Sequence, residues 1–432
     1  MQVLKRLKPG PTQKTISQSS MLNKTLSPSL SGDEILEQFH LSRKYSTDLI
    51  LNLSPEDCQA QSMEDASPAK WHLAHVTWFY EVMVLKPFED NFTYWNPEFA
   101  VLFNSYYNGI GDKHPRSKRG LLTRPSLDEV LEWRKNIEGR VIKLINEKFS
   151  AEVLSLIQLG INHEQQHQEL LLTDIHHLLS NNSLFPAYEP QGHPLSSSKQ
   201  SFQWIKGVSG LVEIGHEGAG FHFDNEGPKH HALNQIHSIG NHLVSNLEWL
   251  QFIEDGGYQN FQWWLDAGWA WLQTEKISAP LYWNKDAQNQ LLRFSLYGNL
   301  PLDMNAPVSN ISYFEADAFA RWAKQNLMEY AGARLPTEFE WEAFAKSNTE
   351  ASDDLFGKVW QWTSSNYTPY PGYQPWGGIA GEYNGKFMVN QMVLRGSSAY
   401  TPVGHSRVTY RNFFPTHARW QMTGLRLAKD GI

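Results

Sequence analysis

His163 and His167 stand four residues apart in His163-Glu164-Gln165-Gln166-His167-Gln168-Glu169, within a chain of 432 residues. On an α-helix, residues four apart lie about 40° around the axis and one turn along it, so both imidazoles can close on one metal ion. Continued both ways, the stripe reads Leu156, Gly160, His163, His167, Leu171 and Leu178. Such a face should point into a helical bundle, where unpaired imidazoles are costly to bury. Glu169 lies roughly 200° around the helix from His167 and cannot ligate the same ion. A hydrogen-bonded core pair is the competing account, because short motifs also match by chance. A third ligand must come from another helix, and Trp71-His72-Leu73-Ala74-His75 offers two. Spacing does not choose between His72 and His75. Three neutral imidazoles without a cysteine suit zinc, iron, copper or nickel.

A loop from Asn104 to Pro125 carries Tyr106, Tyr107, Arg116, Arg119 and Arg124. Paired phenols offer protons, and clustered guanidiniums offer forked donors for a carboxylate. A solvated basic loop is the commoner fate of such a run. Near the C-terminus, Tyr410-Arg411-Asn412-Phe413-Phe414-Pro415 and Arg419-Trp420-Gln421 mix amide, aromatic and cationic groups. Alone they mark a packed strand end.

The elements that must position these groups follow from periodicity and punctuation. Residues 1–32 hold five lysines and arginines, no acid and many Ser, Thr and Pro, which predicts a flexible tail. Helices are predicted over 33–52, 68–86, 126–149 and 150–181. Ser126 with Glu129 three residues on makes a capping box for the third. Four long helices predict an up-and-down bundle, a scaffold that commonly binds metals between its helices. Residues 182–200 read as a Pro- and Ser-rich linker. From 201 to 432 the texture changes to short strands, Gly turns and many Trp, with helices near Ser245–Glu254 and Ser312–Gln325. The fold class expected is therefore α+β and multidomain.

Subtracting 37 basic from 45 acidic side chains gives −8, which argues against a nucleic-acid or anionic-membrane surface. The lone Cys58 excludes an intramolecular disulfide framework and any multi-cysteine metal site. No apolar run approaches the roughly 20 residues of a spanning helix, so the expectation is a cytoplasmic enzyme of small molecules.

Taken together, the motifs resemble those of the ergothioneine-biosynthesis sulfoxide synthases, also called hercynine oxygenases. The resemblance rests on Trp71-x-x-Ala-His75, His163-x3-His167-x-Glu169 and the loop from Tyr106-Tyr107 through Arg116, Arg119-Gly120-Leu121-Leu122 and Arg124-Pro125. It continues through Gly332-Ala333-Arg334-Leu335-Pro336-Thr337-Glu338, Val359-Trp360-x-Trp362, Tyr410-Arg411-Asn412-Phe413-Phe414 and Arg419-Trp420-Gln421. It implies a DinB-like four-helix bundle over 33–181. A formylglycine-generating-enzyme-like domain with a C-type-lectin-like fold would follow over 201–432.

The resemblance further implies Fe(II) held by His75, His163 and His167, with dioxygen as co-substrate. The substrates would be hercynine, which is trimethylated histidine, and free cysteine in preference to γ-glutamylcysteine. A phenol from Tyr106 or Tyr107 would deliver a proton. Gln166, Asn412, Phe413 and Phe414 would hold hercynine, and Arg116 with Arg119 the thiol's carboxylate. Arg395-Gly396-Ser397-Ser398-Ala399 has serine where fold relatives often carry cysteine, and the absence of any cysteine from the second domain excludes a copper–cysteine formylglycine-generating activity. The alternatives on the same scaffold are a selenium-using relative, a 5-histidylcysteine sulfoxide synthase and a non-catalytic binding module.

Overall fold

The computed structural model describes residues 30–105, 107–147, 150–192, 201–348, 354–377 and 379–431. The expected tail is described only from residue 30, and most of the expected linker's second half lies outside the described residues. Four long helices frame the N-terminal part, with shorter turns between them: α1 (Gly32–Asp48), α2 (Ala69–Phe79), α3 (Leu127–Glu147) and α4 (Ala151–Ser180). Each starts where the sequence supplies a stop for the chain before it. Ser31 caps α1 in a capping box with Glu34, Pro68 precedes α2 and Ser150 accepts the Val153 N–H of α4. Ser126 and Glu129 exchange hydrogen bonds at the start of α3. These bonds satisfy amides that have no partner within the helix.

The second helix departs from expectation. Beyond Phe79 the chain continues as a π-helical segment, Tyr80–Leu85, before one more turn at Lys86–Phe88. The wider turn carries Glu81 inward to accept hydrogen bonds from the Trp95 N–H and the Trp133 indole. Residue periodicity averages over such a segment and so does not reveal it. Where α2 crosses α4, the Tyr80 ring lies so close to Gly160 that a Cβ there would sit 2.6 Å from a ring carbon. This contact sets the approach of the two helices that carry the histidines.

The C-terminal part contains α5 (Asn246–Glu254), α6 (Asp266–Glu275), α7 (Tyr313–Asn326) and α8 (Glu338–Ser347) among short strands. Helices α5 and α7 stand where the sequence placed them. The patterning did not announce α6, whose aromatic-rich segment has little one-sided periodicity, or α8, although Thr337 and Glu340 form its capping box. One four-stranded sheet orders Asn412–Pro415, Gln391–Arg395, Trp360–Asn366 and Thr423–Gly424, with only the last pair parallel. Arg411, which leads into the first of these strands, donates to Glu338 through Nε at 2.8 Å and Nη2 at 2.9 Å. That buried fork fixes the strand end bearing Asn412. A single apolar cluster runs from Ile35 and Phe39 of α1 to Leu425 and Leu427, so both parts share one core.

Candidate metal centre and adjoining cavity

Helix α2 contributes His75, and α4 contributes His163 and His167. One ligand nitrogen from each lies within 4.8 Å of the other two. All three rings are buried, His75 completely. His75 donates from Nδ1 to the Phe103 carbonyl at 2.7 Å, which leaves its buried Nε2 without a partner. Neither nitrogen of His163 has one. Unpaired buried nitrogens are rare and costly. Those of His75 and His163 converge with His167 into the donor set of a metal centre, and a metal ion fits it. Burial pushes the His163 imidazole down to about 4. It holds His75 and His167 well below the usual range, with the neighbouring His163 adding to the effect. All three are therefore neutral near pH 7, as metal ligation requires.

His72 is not one of the three. Its Nδ1 lies 2.9 Å from His167 Nδ1 and its Nε2 lies 3.0 Å from Asp174 Oδ2. Glu169 points away from the histidines, as the helical angle predicted. It accepts hydrogen bonds from the Trp360 indole at 2.7 Å, from Ser398 Oγ and from Thr401 Oγ1 at 2.7 Å. Glu164 faces the bundle interior, where Arg43 and Arg134 both pair with it.

Beside the triad, a cavity of about 470 Å³ opens between α4 and the C-terminal sheet. Gln166, Glu169, Leu170 and Thr173 form its helical wall, at helix-face spacing. Asn412, Phe413 and Phe414 line the opposite side with Trp420. A narrow void of about 30 Å³ adjoins it, sharing Asp65, Arg116, Leu170, Phe414 and Trp420, and reaches His167. The cavity therefore leads toward the triad.

The sequence-predicted residues are distributed around this path. Gln166 is pinned, donating to Tyr410 Oη at 2.6 Å and accepting from Tyr383 Oη at 2.9 Å. Arg116 lines both spaces and donates to the Asp65 carbonyl. Arg119 lies 3.4 Å over the Trp71 ring and donates to Ser67 and Ser105. Phe413 stacks on Tyr367 at 4.1 Å, and Phe414 meets Trp420 edge-on. Tyr106 lies outside the described residues. Tyr107 stacks on Trp78, which stacks in turn on His75.

Three residues were missed. The Tyr383 ring sets itself edge-on to His163 at 5.9 Å, although it is 220 residues downstream by numbering. Glu382 accepts from the Asn108 and Gly109 N–H groups at 2.8 and 3.0 Å and ties the tyrosine loop to the C-terminal part. Trp420 was noted only as part of a motif. No local signal could have found Tyr383 or Glu382, which lie in a segment whose chemistry depends on what it folds against.

A metal-competent histidine triad on a helical bundle, capped by a second domain, defines the class. The sulfatase-modifying factor enzyme 1-like domain model matches residues 196–353 and 346–431, so the chain belongs to that family. The DinB superfamily model matches residues 38–171. The hercynine oxygenase of Mycolicibacterium thermoresistibile is 28% identical over 418 residues, covering 84% of this chain and 87% of its own. That of Mycolicibacterium smegmatis is 28% identical over 416 residues, covering 84% and 91%. Ergothioneine biosynthesis protein 1 of Schizosaccharomyces pombe is 26% identical over 241 residues, covering 49% and 28%. Among solved structures, PvdO from Pseudomonas aeruginosa is 15% identical with a TM-score of 0.31, covering 52% of this chain and 92% of its own. The chain is thus an enzyme homologous to the hercynine oxygenases across both of its parts. No described helix is long and apolar enough to cross a membrane.

Proposed function

We propose that the enzyme is a cytoplasmic, Fe(II)- and dioxygen-dependent sulfoxide synthase that joins the thiol of free cysteine to C2 of the hercynine imidazole. The observation that carries this reading is the set of unpartnered imidazole nitrogens of His75 and His163 beside His167, at the end of a cavity shared by both parts. Bound there, ferrous iron would supply open coordination positions and pass four electrons from the substrates to dioxygen, whose oxygens end in the sulfoxide and in water.

The chain's own residues hold the two organic substrates against that centre. Gln166, fixed by two tyrosine hydroxyls, presents a preset amide to the amino-acid end of hercynine. Phe414 and Trp420 wall the cavity, and aromatic faces attract a trimethylammonium group. Asn412 adds an amide from the strand end. Arg116 and Arg119, which flank the narrow void near His167, offer charge-assisted bonds to the cysteine carboxylate. Their position beside His167 supports binding of the thiol on that side. The proton is delivered by a phenol of the Tyr106–Tyr107 pair.

Anaerobic loading with Fe(II), then oxygen, cysteine and hercynine, should yield the coupled sulfoxide by mass spectrometry. His75→Ala should give none. Turnover by that variant, or no coupled product from the loaded wild type, would end the proposal. Parallel incubation with γ-glutamylcysteine tests the choice of thiol.

A further inference from the structure

We infer that His72 and Asp174 are positioning residues: a hydrogen-bonded relay, Asp174–His72–His167, fixes the tautomer and ring orientation of His167 at the metal centre. The inference deepens the reading above and rests on it.

Asp174 stands two turns beyond His167 on α4, and His72 one turn before His75 on α2. Both side chains are buried, at 6% and 3% exposure. Asp174 Oδ2 accepts the Ser67 N–H at 2.8 Å and lies 3.0 Å from His72 Nε2. A carboxylate oxygen accepts at that distance, so the proton of neutral His72 resides on Nε2 and its Nδ1 is a bare lone pair. That lone pair lies 2.9 Å from His167 Nδ1. Two ring nitrogens this close share one proton, so His167 supplies it. His167 is therefore protonated on Nδ1 and bare on Nε2. The opposite assignment would put the His167 proton on Nε2, where it blocks ligation.

The three ligands are thus held by different means. The Phe103 carbonyl fixes the His75 tautomer. His167 depends on the relay, and His163 is located by packing against Phe79 at 4.9 Å. A carboxylate acting through an imidazole also strengthens the final nitrogen as a donor, and losing such a partner typically costs about 10–100-fold in metal affinity. The pair His72 and His75, inseparable by spacing, divides into a relay member and a ligand.

Anaerobic titration of full-length protein with Co(II), read by its d–d absorption and by the dissociation constant, tests the relay. His72→Phe keeps ring volume but leaves His167 Nδ1–H without an acceptor. It should weaken Co(II) binding about 10–100-fold and alter the spectrum. His72→Asn places an amide oxygen near the former Nδ1 and should retain binding within about threefold. Asp174→Asn keeps shape without charge and should weaken binding about tenfold. A merely structural role predicts the reverse order, with Phe tolerated and Asn not. His72→Phe and Asp174→Asn with wild-type affinity and spectrum would overturn this inference alone. A wild type that fails to bind Co(II), with folding intact by thermal melting, would overturn the metal reading and the relay together.

Discussion

Helix α4 carries two glutamates five residues apart in opposite surroundings. In the bundle interior Glu164 is fully buried between the guanidiniums of Arg43 and Arg134, with Ser46 Oγ at 2.6 Å. Burial alone would raise its carboxyl, yet the two arginines hold it down to about 2. At the cavity wall Glu169 accepts from an indole and two hydroxyls. No described arginine or lysine pairs with it in a salt bridge, and burial pushes its carboxyl up. The bundle face is locked by charge, whereas the junction face is assembled from neutral donors. One helix thereby anchors the bundle that carries the histidine triad and forms one wall of the cavity.

Breaking the charged side should have the largest effect. Glu164→Gln leaves two buried guanidiniums without a counter-charge and should destabilise the protein by about 3–5 kcal/mol, measured by urea unfolding. Loss of about 1 kcal/mol or less would show that the Arg43–Glu164–Arg134 cluster is better solvated than its burial implies. The next test is on the junction side, where Gln166→Ala removes the amide held by Tyr383 and Tyr410. The KM for hercynine should rise about tenfold, worth roughly 1.4 kcal/mol, while Fe(II) affinity stays unchanged. An equal fall in metal affinity would erase the distinction between the two faces.

Acid and base should also separate them. A carboxyl held below its ordinary 4.5 stabilises the fold above that pH, and the contribution is lost as pH falls from 4.5 toward about 2. The raised Glu169 carboxyl acts with the opposite sign. Stability declines as pH rises from the ordinary 4.5 through the folded value, because the unfolded chain ionises first. Thermal melts should show Glu164→Gln flattening the acid limb, to which the lowered Glu226 and Glu340 carboxyls also contribute. Glu169→Gln should remove the other limb while changing stability at pH 7 by less than about 1 kcal/mol. The smallest effect is expected from Glu382→Ala, which frees the Asn108 and Gly109 amides. Folding stability should barely move, but limited proteolysis within 104–112 should accelerate.

Much of this contrast was legible beforehand. The helix start at Ser126 could be read because capping is a contact within four residues. The placing of His163 with His167, and of Glu169 away from them, follows from helical rotation alone. The π-helical segment at Tyr80–Leu85 and helix α6 were not legible. In the first, a wide turn follows from packing around Glu81. In the second, aromatics spread around the helix leave no single face to detect.

The sequence by itself determined which imidazoles share a face of α4, that Glu169 turns away from them, and the composition of an aromatic second domain. Those facts depend on separations of two to seven residues, which helix geometry converts directly into angles. Only the tertiary structure decided that His72 partners His167, and that Tyr383 reaches across to Gln166. These pairings span 95 and 217 residues. They depend on how closely α2 and α4 approach at Gly160 and on how the C-terminal sheet meets α4. Such distances are fixed by packing between elements, and no local periodicity encodes them.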